Sequence, residues 1–373
     1  MNQFPTRIGV FAVVGLSAAL LGGCEFGPKQ TTQTGHRGTG MDQIVAVNYR
    51  AKQAAIPPEP YPLPPDGGPT AAESYQNVKV LGNVSKERFD HLMAEMSQWV
   101  APETEGCNYC HNPENLASDE KYTKVVARRM LQMTQTINAQ WSPHVKQTGV
   151  TCYTCHRGQP VPANKWAMAD AMPASMSILG NKRGQNSPSP EVGFTSLPYD
   201  PFTQFLVVPQ QIRVAGSDPF PQPNHVVSIK DTEMTYALMM HMSSALGVNC
   251  TFCHNTQSFR AWNLSTPPRG TAYYGIRMVR DINETYLASL QNVFPNNRKG
   301  PHGDVYKVNC TTCHQGVSKP LGGVSMIAQA PALKGPTLAP AAAASPVTAA
   351  AATDAVAAEQ TPLGEPAVMT AQQ

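Results

Sequence analysis

The sequence predicts a mainly α protein with short helices, long irregular loops and a two-fold internal repeat. Apolar residues at Phe89, Met93, Met96 and Val100 follow the spacing of one helix face. Proline accounts for 34 of the 373 residues, nearly twice the usual ~5%, and proline ends or interrupts helices. The motif Cys-x-x-Cys-His occurs four times, in two alternating contexts.

This motif is the attachment signature of c-type haem. Two thiols on one helical turn form thioethers with the haem vinyl groups, and the next histidine supplies the proximal iron ligand. Zinc clips, redox-active cysteine pairs and disulfides are the alternatives, but four copies that all keep the histidine favour haem. The sequence therefore predicts a multihaem cytochrome with four covalently bound c-type haems. The attachment cysteines are Cys107, Cys110, Cys152, Cys155, Cys250, Cys253, Cys310 and Cys313, and the proximal ligands are His111, His156, His254 and His314.

The motifs pair into a repeat. The first and third read Cys-Asn-Tyr-Cys-His-Asn and Cys-Thr-Phe-Cys-His-Asn, whereas the second and fourth read Cys-Tyr-Thr-Cys-His-Arg-Gly and Cys-Thr-Thr-Cys-His-Gln-Gly. An Arg-Met pair lies between the members of each pair of motifs, at Arg129-Met130 and at Arg277-Met278. We therefore expect a duplicated two-haem unit, with copies at 81–165 and 226–328.

Further helices are predicted in both units. Ser85 is the predicted N-cap of the helix that contains Phe89, and a second helix is predicted after Ser118-Asp119-Glu120. A third helix is expected over Thr235–Leu246, ended by Gly247, and a fourth over Gly275–Leu290. We expect an irregular N-terminal segment at 24–80, a proline-rich connection with a few short strands at 166–225, and a disordered Ala/Pro-rich tail at 329–373.

The N-terminus predicts a lipoprotein signal peptide at residues 1–23. Arg7 is the only charged residue before position 25, and the apolar stretch Ile8–Gly23 is shorter than the ~20 residues that span a bilayer. Cys24 follows small residues directly, as at a lipidation site; ordinary cleavage with a spare thiol and an uncleaved anchor are the alternatives. No other stretch could span a membrane, so we expect a lipid-anchored protein on the periplasmic face of the cytoplasmic membrane.

Methionines on the predicted helices are candidates for sixth iron ligands, although most methionines fill cores. Met93 or Met96 precedes the first motif, Met130 the second, and Met239 the third, with Met240 and Met242 as neighbours of Met239. For the fourth haem the repeat points to Met278, and His144 is the competitor. Arg129, Arg277 and Arg280 are candidates to pair with haem propionates, or they lie on solvated helix faces.

Residues 75–325 resemble the tetrahaem cytochrome subunit of purple bacterial photosynthetic reaction centres. The resemblance is carried by Glu-Gly-Cys-Asn-Tyr-Cys-His, Val-Ala-Arg-Arg-Met-Leu, Gly-Val-Thr-Cys-Tyr-Thr-Cys-His-Arg-Gly, Leu-Gly-Val-Asn-Cys-Thr-Phe-Cys-His-Asn, Gly-Ile-Arg-Met-Val-Arg-Asp and Cys-Thr-Thr-Cys-His-Gln-Gly. It implies three Met/His haems and one bis-His haem, and a diacylglycerol on Cys24. The implied sixth ligands are Met93 for the first haem, with Met96 as rival, Met130 for the second, Met239 for the third and His144 for the fourth; Met278 then becomes a packing residue.

The resemblance also implies a function without catalytic residues. Electrons from a soluble periplasmic cytochrome c or high-potential iron–sulfur protein would re-reduce the photo-oxidised special pair in the bacteriochlorophyll-binding L and M type core subunits. The formal net charge is only +3, and no feature suggests nucleic-acid binding. A multihaem reductase would need an open iron position, a quinol-oxidising cytochrome would normally carry a spanning helix, and a general periplasmic electron conduit stays open.

Overall fold

The computed structural model describes residues 27–34, 41–169, 184–187, 189–212 and 229–335. Within these ranges the chain is mainly α, as the sequence predicts. The signal segment and Cys24 lie outside the described residues, and so do residues 336–373.

The N-terminal segment contains regular structure that the sequence did not indicate. Strands β1 (Lys29–Thr34) and β2 (Met41–Ala46) pair antiparallel. Helix α1 (Val47–Ala54) follows β2 directly. After a proline-rich extended stretch, the short helix α2 (Ala71–Ser74) begins at Thr70, whose side chain and Glu73 form a capping box.

Helix α3 (Lys86–Val100) begins after Ser85, as predicted, but the Ser85 side chain does not cap it. The Ser85 hydroxyl donates to Asp66 Oδ1 instead, at 2.9 Å. One face of α3 is fully buried and includes Leu92 and Trp99. The helix therefore owes its position to the packing of this face.

Two further helices lie between the first and second motifs. Helix α4 (Tyr122–Gln140) begins where the sequence predicts a helix. The short helix α5 (Ser142–Val145), with proline near its start, follows at once and carries His144.

The first and third motifs lie on 3-10 turns (Gly106–Tyr109 and Cys250–Phe252), whereas the second and fourth form short α-helices. These are α6 (Cys152–His156) and α9 (Cys310–His314). Each ends in a left-handed residue, Arg157 or Gln315, and a glycine with positive φ follows. This is a common way to end a helix, because it lets the chain turn back at once.

The connection between the two predicted units carries a short strand, β3 (Lys165–Trp166), which pairs antiparallel with β4 (Lys307–Val308). Its described part also has a 3-10 turn (Pro190–Val192) and a π-helical turn (Thr203–Val207). Phe205 and Leu206 on the π-helical turn are buried, so this segment contributes to the core.

Two long helices belong to the second predicted unit. Helix α7 (Ile229–Leu246) begins earlier than the predicted Thr235 and ends at Gly247, which has a φ of +61°. Helix α8 (Pro267–Asp281) starts at Pro267 rather than at Gly275. It continues into a π-helical turn (Ile282–Leu287) and a 3-10 turn (Ala288–Leu290), so the predicted end at Leu290 agrees with the structure.

The core of the described chain consists of two clusters. One gathers Trp166, Phe202, Leu238 and Ile282 with their neighbours, and the other gathers Leu92, Trp99, Leu131 and Met326 with theirs. Burying a side chain of this size contributes about 1.5–3 kcal/mol. Among the described helices, none is both long and apolar enough to cross a membrane.

The predicted disordered tail begins too early. Residues 331–334 form a 3-10 turn in which Leu333 is 0% exposed. The side chain of Asn138 donates to the Leu333 carbonyl at 2.7 Å, and that of Gln135 donates to the Ala332 carbonyl at 3.0 Å. The expectation of disorder from Gln329 onward is therefore wrong for these residues, because they pack against α4.

Candidate haem-binding sites

The four motif histidines share one hydrogen-bond pattern. In each, ring atom Nδ1 lies within hydrogen-bond distance of a backbone carbonyl a few residues further along the chain. A carbonyl only accepts, so Nδ1 carries the proton and Nε2 keeps its lone pair for a metal. The pairs are His111 to Leu116 at 3.1 Å, His156 to Gln159 at 2.8 Å, His254 to Phe259 at 2.9 Å and His314 to Val317 at 3.0 Å.

His144 has the same pattern although it belongs to no motif. Its Nδ1 donates to the carbonyl of Thr271 on α8, at 2.9 Å. His91 differs, since its Nε2 lies 2.8 Å from the Tyr61 carbonyl. His241 differs again: its Nε2 has no hydrogen-bond partner, but the ring stands edge-on to Phe202 in the core. His144 is thus oriented as the motif histidines are.

The structure places His144 beside His314. Their ring centres are 6.1 Å apart and their planes cross at 71°. Two imidazoles that bind one metal ion from opposite sides, with bonds of about 2 Å, have ring centres about 6 Å apart. The residue that the family resemblance assigns to the fourth iron is therefore close to the fourth motif.

Burial keeps these imidazoles neutral. Desolvation lowers the pKa of His144, His156 and His254 below the ordinary value, and it lowers the pKa of His314 to about 4. A neutral imidazole is the form that binds a metal ion. These four histidines are therefore ready to act as ligands at neutral pH.

A cavity of about 640 Å³ joins the first two motifs, within the size range of ligand pockets. Both motifs line it with their cysteines and histidines, and Cys313 of the fourth motif reaches it as well. Met93, Met96 and Met130 also line it. The cavity thus gathers attachment thiols, proximal histidines and all the sixth ligands predicted for these two haems.

The second and fourth motifs meet at their cysteines. Cys155 and Cys313, 158 residues apart in sequence, are joined as a disulfide with their Cα atoms 4.5 Å apart. The other six motif cysteines are free thiols. A sulfur in a disulfide cannot also bond to haem, so attachment through Cys155 and Cys313 requires this pair to be reduced.

The helices that precede the motifs make matching contacts. The Gly158 amide, just after the second motif, donates to the Trp99 carbonyl near the end of α3, at 3.0 Å. The Gly316 amide, just after the fourth motif, donates to the Ala245 carbonyl near the end of α7, at 2.8 Å. Each helix therefore packs on the later motif of its own pair.

The remaining candidate methionines occupy different surroundings. The Met240 methyl faces Gly193, which places it against the Pro190–Val192 turn. Met239 and Met242 are partly buried and pack on the core. Met278 is 6% exposed and belongs to that core. The environment of Met240 is thus distinct from that of its two neighbours.

The three candidate arginines all have protein partners. Arg280 donates through Nε and Nη2 to the Phe205 carbonyl, and Arg277 donates to the Tyr273 hydroxyl. Arg129 donates to the Thr285 carbonyl and stacks over the ring of Tyr286. These contacts give each guanidinium a role in packing.

Sequence reasoning did not find the contacts of the N-terminal segment with the motifs. The Tyr49 hydroxyl on α1 donates to the Gln315 carbonyl at 2.7 Å. Arg157 Nη1 donates to the carbonyl of Gln53, on the same helix, at 3.1 Å. Helix α1 therefore touches the residue that follows the second motif and the residue that follows the fourth. No motif in the N-terminal segment indicates this.

A buried pair of ionisable residues on α3 was also missed. His91 and Glu95 are both 0% exposed, and Glu95 Oε2 lies 3.6 Å from His91 Nδ1. Burial raises the pKa of Glu95 to about 8. Their i, i+4 spacing on the predicted helix was the available signal.

Paired cysteines and an adjoining histidine with a free Nε2, with two of the motifs lining an apolar cavity, fit covalently bound haem and define a c-type cytochrome. The sequence model of the family described as "Photosynthetic reaction centre cytochrome C subunit" matches residues 25–334. The chain therefore belongs to this family. Its role is electron transfer in a photosynthetic reaction centre, in association with the core of that complex and the photosynthetic membrane.

Curated relatives agree with this assignment. The photosynthetic reaction center cytochrome c subunit of Rubrivivax gelatinosus is 52% identical over 330 residues, which cover 88% of this chain and 90% of that protein. The subunit with the same description from Thermochromatium tepidum is 48% identical, covering 86% and 79% of the two chains. That of Roseobacter denitrificans is 41% identical, covering 87% and 91%.

The buried acid on α3 generates a prediction about pH. The folded-state pKa of Glu95, about 8, exceeds its ordinary value of 4.5, so the fold favours the protonated form. The contribution of protonated Glu95 to stability is complete when the pH is below the ordinary pKa of 4.5, and it is lost as the pH rises through about 8. We expect the thermal midpoint of the native protein to fall more between about pH 5 and about pH 8 than that of Glu95→Gln.

The matched control is Glu87→Gln, an exposed acid on the same helix. It should follow the native protein at both pH values. Parallel pH profiles for the native protein and Glu95→Gln would contradict the assignment of Glu95 as a buried neutral acid.

Proposed function

We propose that this chain carries electrons from a soluble periplasmic donor to the photo-oxidised special pair through four covalently bound c-type haems. Each haem, when bound, supplies an iron that alternates between the ferric and ferrous states. The chain holds and orients the four groups and sets their potentials. The observation that carries the proposal is the repeated Nδ1-to-carbonyl bond, which leaves Nε2 free on all four motif histidines.

The proposed attachment residues are the eight motif cysteines, with Cys155 and Cys313 in the thiol form. We also propose a duplicated two-haem unit. In its support, the carbonyl that accepts from the histidine lies five residues on in the first and third motifs, at Leu116 and Phe259, and three residues on in the second and fourth, at Gln159 and Val317. The helix contacts at Gly158 and Gly316 match in the same way.

The first and third irons are assigned the sixth ligands Met93 and Met239. Met93 lies six residues before Trp99, and Met239 lies six residues before Ala245. Trp99 and Ala245 accept the equivalent bonds from Gly158 and Gly316. This register pairs Met93 with Met239 and likewise Met96 with Met242, whereas the counterpart of Met240 is Ala94. Within the two pairs, the choice of Met93 and Met239 rests on the family resemblance.

The second iron is assigned Met130. Its side chain lines the same cavity as His156 and Cys152. It lies on α4, in the string that carries the family resemblance. The neighbouring Met133 lines the cavity too, but no matching string supports it.

The fourth iron is assigned His144, opposite His314. The ring separation of 6.1 Å and the two Nδ1 hydrogen bonds, to Thr271 and to Val317, support this pair. This haem would then be bis-His and would have a lower potential than the Met/His haems, because thioether sulfur favours ferrous iron.

The donor and the membrane attachment complete the proposal. A soluble cytochrome c or a high-potential iron–sulfur protein fits the donor role, since propionates add negative charge to a chain whose formal charge is only +3. Cys24, lipidated after removal of residues 1–23, would hold the protein at the periplasmic face of the membrane. A sixth ligand for every iron disfavours a reductase that needs an open position.

The first-haem assignment is tested by a matched pair of substitutions on α3. We expect Met93→Leu to open one iron to carbon monoxide and to lower one midpoint potential, because leucine offers no ligand. Met96→Leu should leave both properties unchanged. Redox titration and carbon monoxide difference spectra of the membrane-bound protein would check this, and the opposite pattern would make Met96 the ligand.

The fourth-haem assignment is tested by His144→Met. We expect the midpoint of one low-potential haem to rise, since methionine replaces imidazole, and the other three to stay nearly unchanged. A redox titration that follows each haem band separately measures this. An unaltered titration would remove His144 from the ligand set.

The function itself is tested on isolated photosynthetic membranes. We expect the chain to co-purify with bacteriochlorophyll-binding core subunits, and a flash to oxidise its haems as the special pair is re-reduced. A pyridine haemochrome assay should give four haems per chain. Purification without those subunits, together with no flash-induced haem oxidation, would favour a general periplasmic conduit instead.

A further inference from the structure

Gly275 on α8 faces the His144 ring at a distance that leaves no room for a side chain. A Cβ at this position would lie 2.5 Å from His144 Cε1 and 2.8 Å from Nδ1, and real Cβ atoms essentially never come within 3.0 Å of such neighbours. Gly275 lies inside a helix and its φ is not positive. A glycine there costs about 1 kcal/mol relative to alanine, so space for the imidazole is its structural reason.

The side chain of Met278 could extend into the space beside Gly275, which His144 occupies. Side chains on a helix lean toward its N-terminus, so a residue covers the surface one turn before its own Cα. Met278 lies three residues after Gly275. Thr271, whose carbonyl accepts from His144 Nδ1, lies four residues before Gly275. The imidazole thus occupies the helix face that Met278 would otherwise cover. Met278 instead packs into the core and lines the cavity beside the first two motifs.

The corresponding stretch of α4 has a different residue at the position of Gly275. Counting back three residues from Met130, the proposed ligand of the second iron, gives Ala127 rather than glycine. Both Ala127 and Met130 line the cavity beside the second motif. The small side chain of Ala127 is compatible with a methionine ligand one turn later. The His144 imidazole, in contrast, requires glycine at position 275.

We propose that Gly275 is a positioning residue that selects the sixth ligand of the fourth iron. It admits His144 and thereby excludes Met278. This inference rests on the proposed function, since it takes His314 as the proximal ligand of a bound haem. A methyl group at position 275 displaces the imidazole and leaves the adjacent helix face open to Met278.

The test is Gly275→Ala in the full chain, purified from membranes with its haems. We expect loss of the bis-His signature in the electron paramagnetic resonance spectrum and gain of a far-red methionine-to-ferric-iron absorption band. One low midpoint should shift upward and the other three should not move. The matched control is Gly270→Ala on the same helix, because a Cβ there has no neighbour within 4 Å. It should leave all three properties unchanged.

Further variants identify the incoming ligand. Met278→Leu alone should keep the bis-His haem, because a core substitution of similar volume is well tolerated. Gly275→Ala combined with Met278→Leu should leave one iron open to carbon monoxide. Where Gly275→Ala does not accumulate, His144→Ala removes the ring without adding bulk. It should give the same methionine band, and the band should disappear when Met278→Leu is added.

The outcomes separate this inference from the ligand assignment on which it rests. A native protein without any bis-His haem would overturn the proposed ligand of the fourth iron. A native bis-His haem that survives Gly275→Ala unchanged would overturn the selecting role of Gly275. A Gly275→Ala protein with an open fourth iron and no methionine band would overturn Met278 as the excluded competitor.

Discussion

The hydrogen bond from histidine Nδ1 to a backbone carbonyl is the constraint on which the sites depend. It fixes which nitrogen carries the proton and holds the plane of each ring. The chain reaches the required carbonyl in two ways. After the first and third motifs it makes a turn closed by a single bridge, Asn112 to Asn115 in one case and Asn255 to Ser258 in the other. After the second and fourth motifs, a left-handed residue and a glycine reverse the chain within three residues.

The long helices connect neighbouring sites. One face of α3 presents Met93 and Met96 to the cavity, while its last turn accepts the hydrogen bond from Gly158 beyond the second motif. Helix α7 holds the equivalent place beside the fourth motif. A shift of either helix would therefore disturb two motifs at once, which ties the geometry of adjacent sites together.

The sequence was sufficient to predict the local features of the structure. The motif residues follow from covalent chemistry at fixed spacing, and helices α3 and α4 follow from the periodicity of their apolar residues, although no side chain caps either start. Contacts between distant segments could not be predicted from the sequence. The approach of His144 to α8 and the meeting of Cys155 with Cys313 depend on how separate helices pack. Leu333 lies in a composition typical of disorder, yet its side chain is buried and Asn138 and Gln135 on α4 donate hydrogen bonds to its turn.

Helix α1 covers the ends of the second and fourth motifs. The Tyr49 hydroxyl donates to the Gln315 carbonyl, and Arg157 donates to the Gln53 carbonyl. Tyr49 and Gln315 are 266 residues apart, so their contact has to await synthesis of most of the chain. Until then the second motif lacks its neighbour Cys313, although Arg157 can already donate to Gln53. The last part of the described chain to be synthesised therefore completes the surroundings of both later motifs.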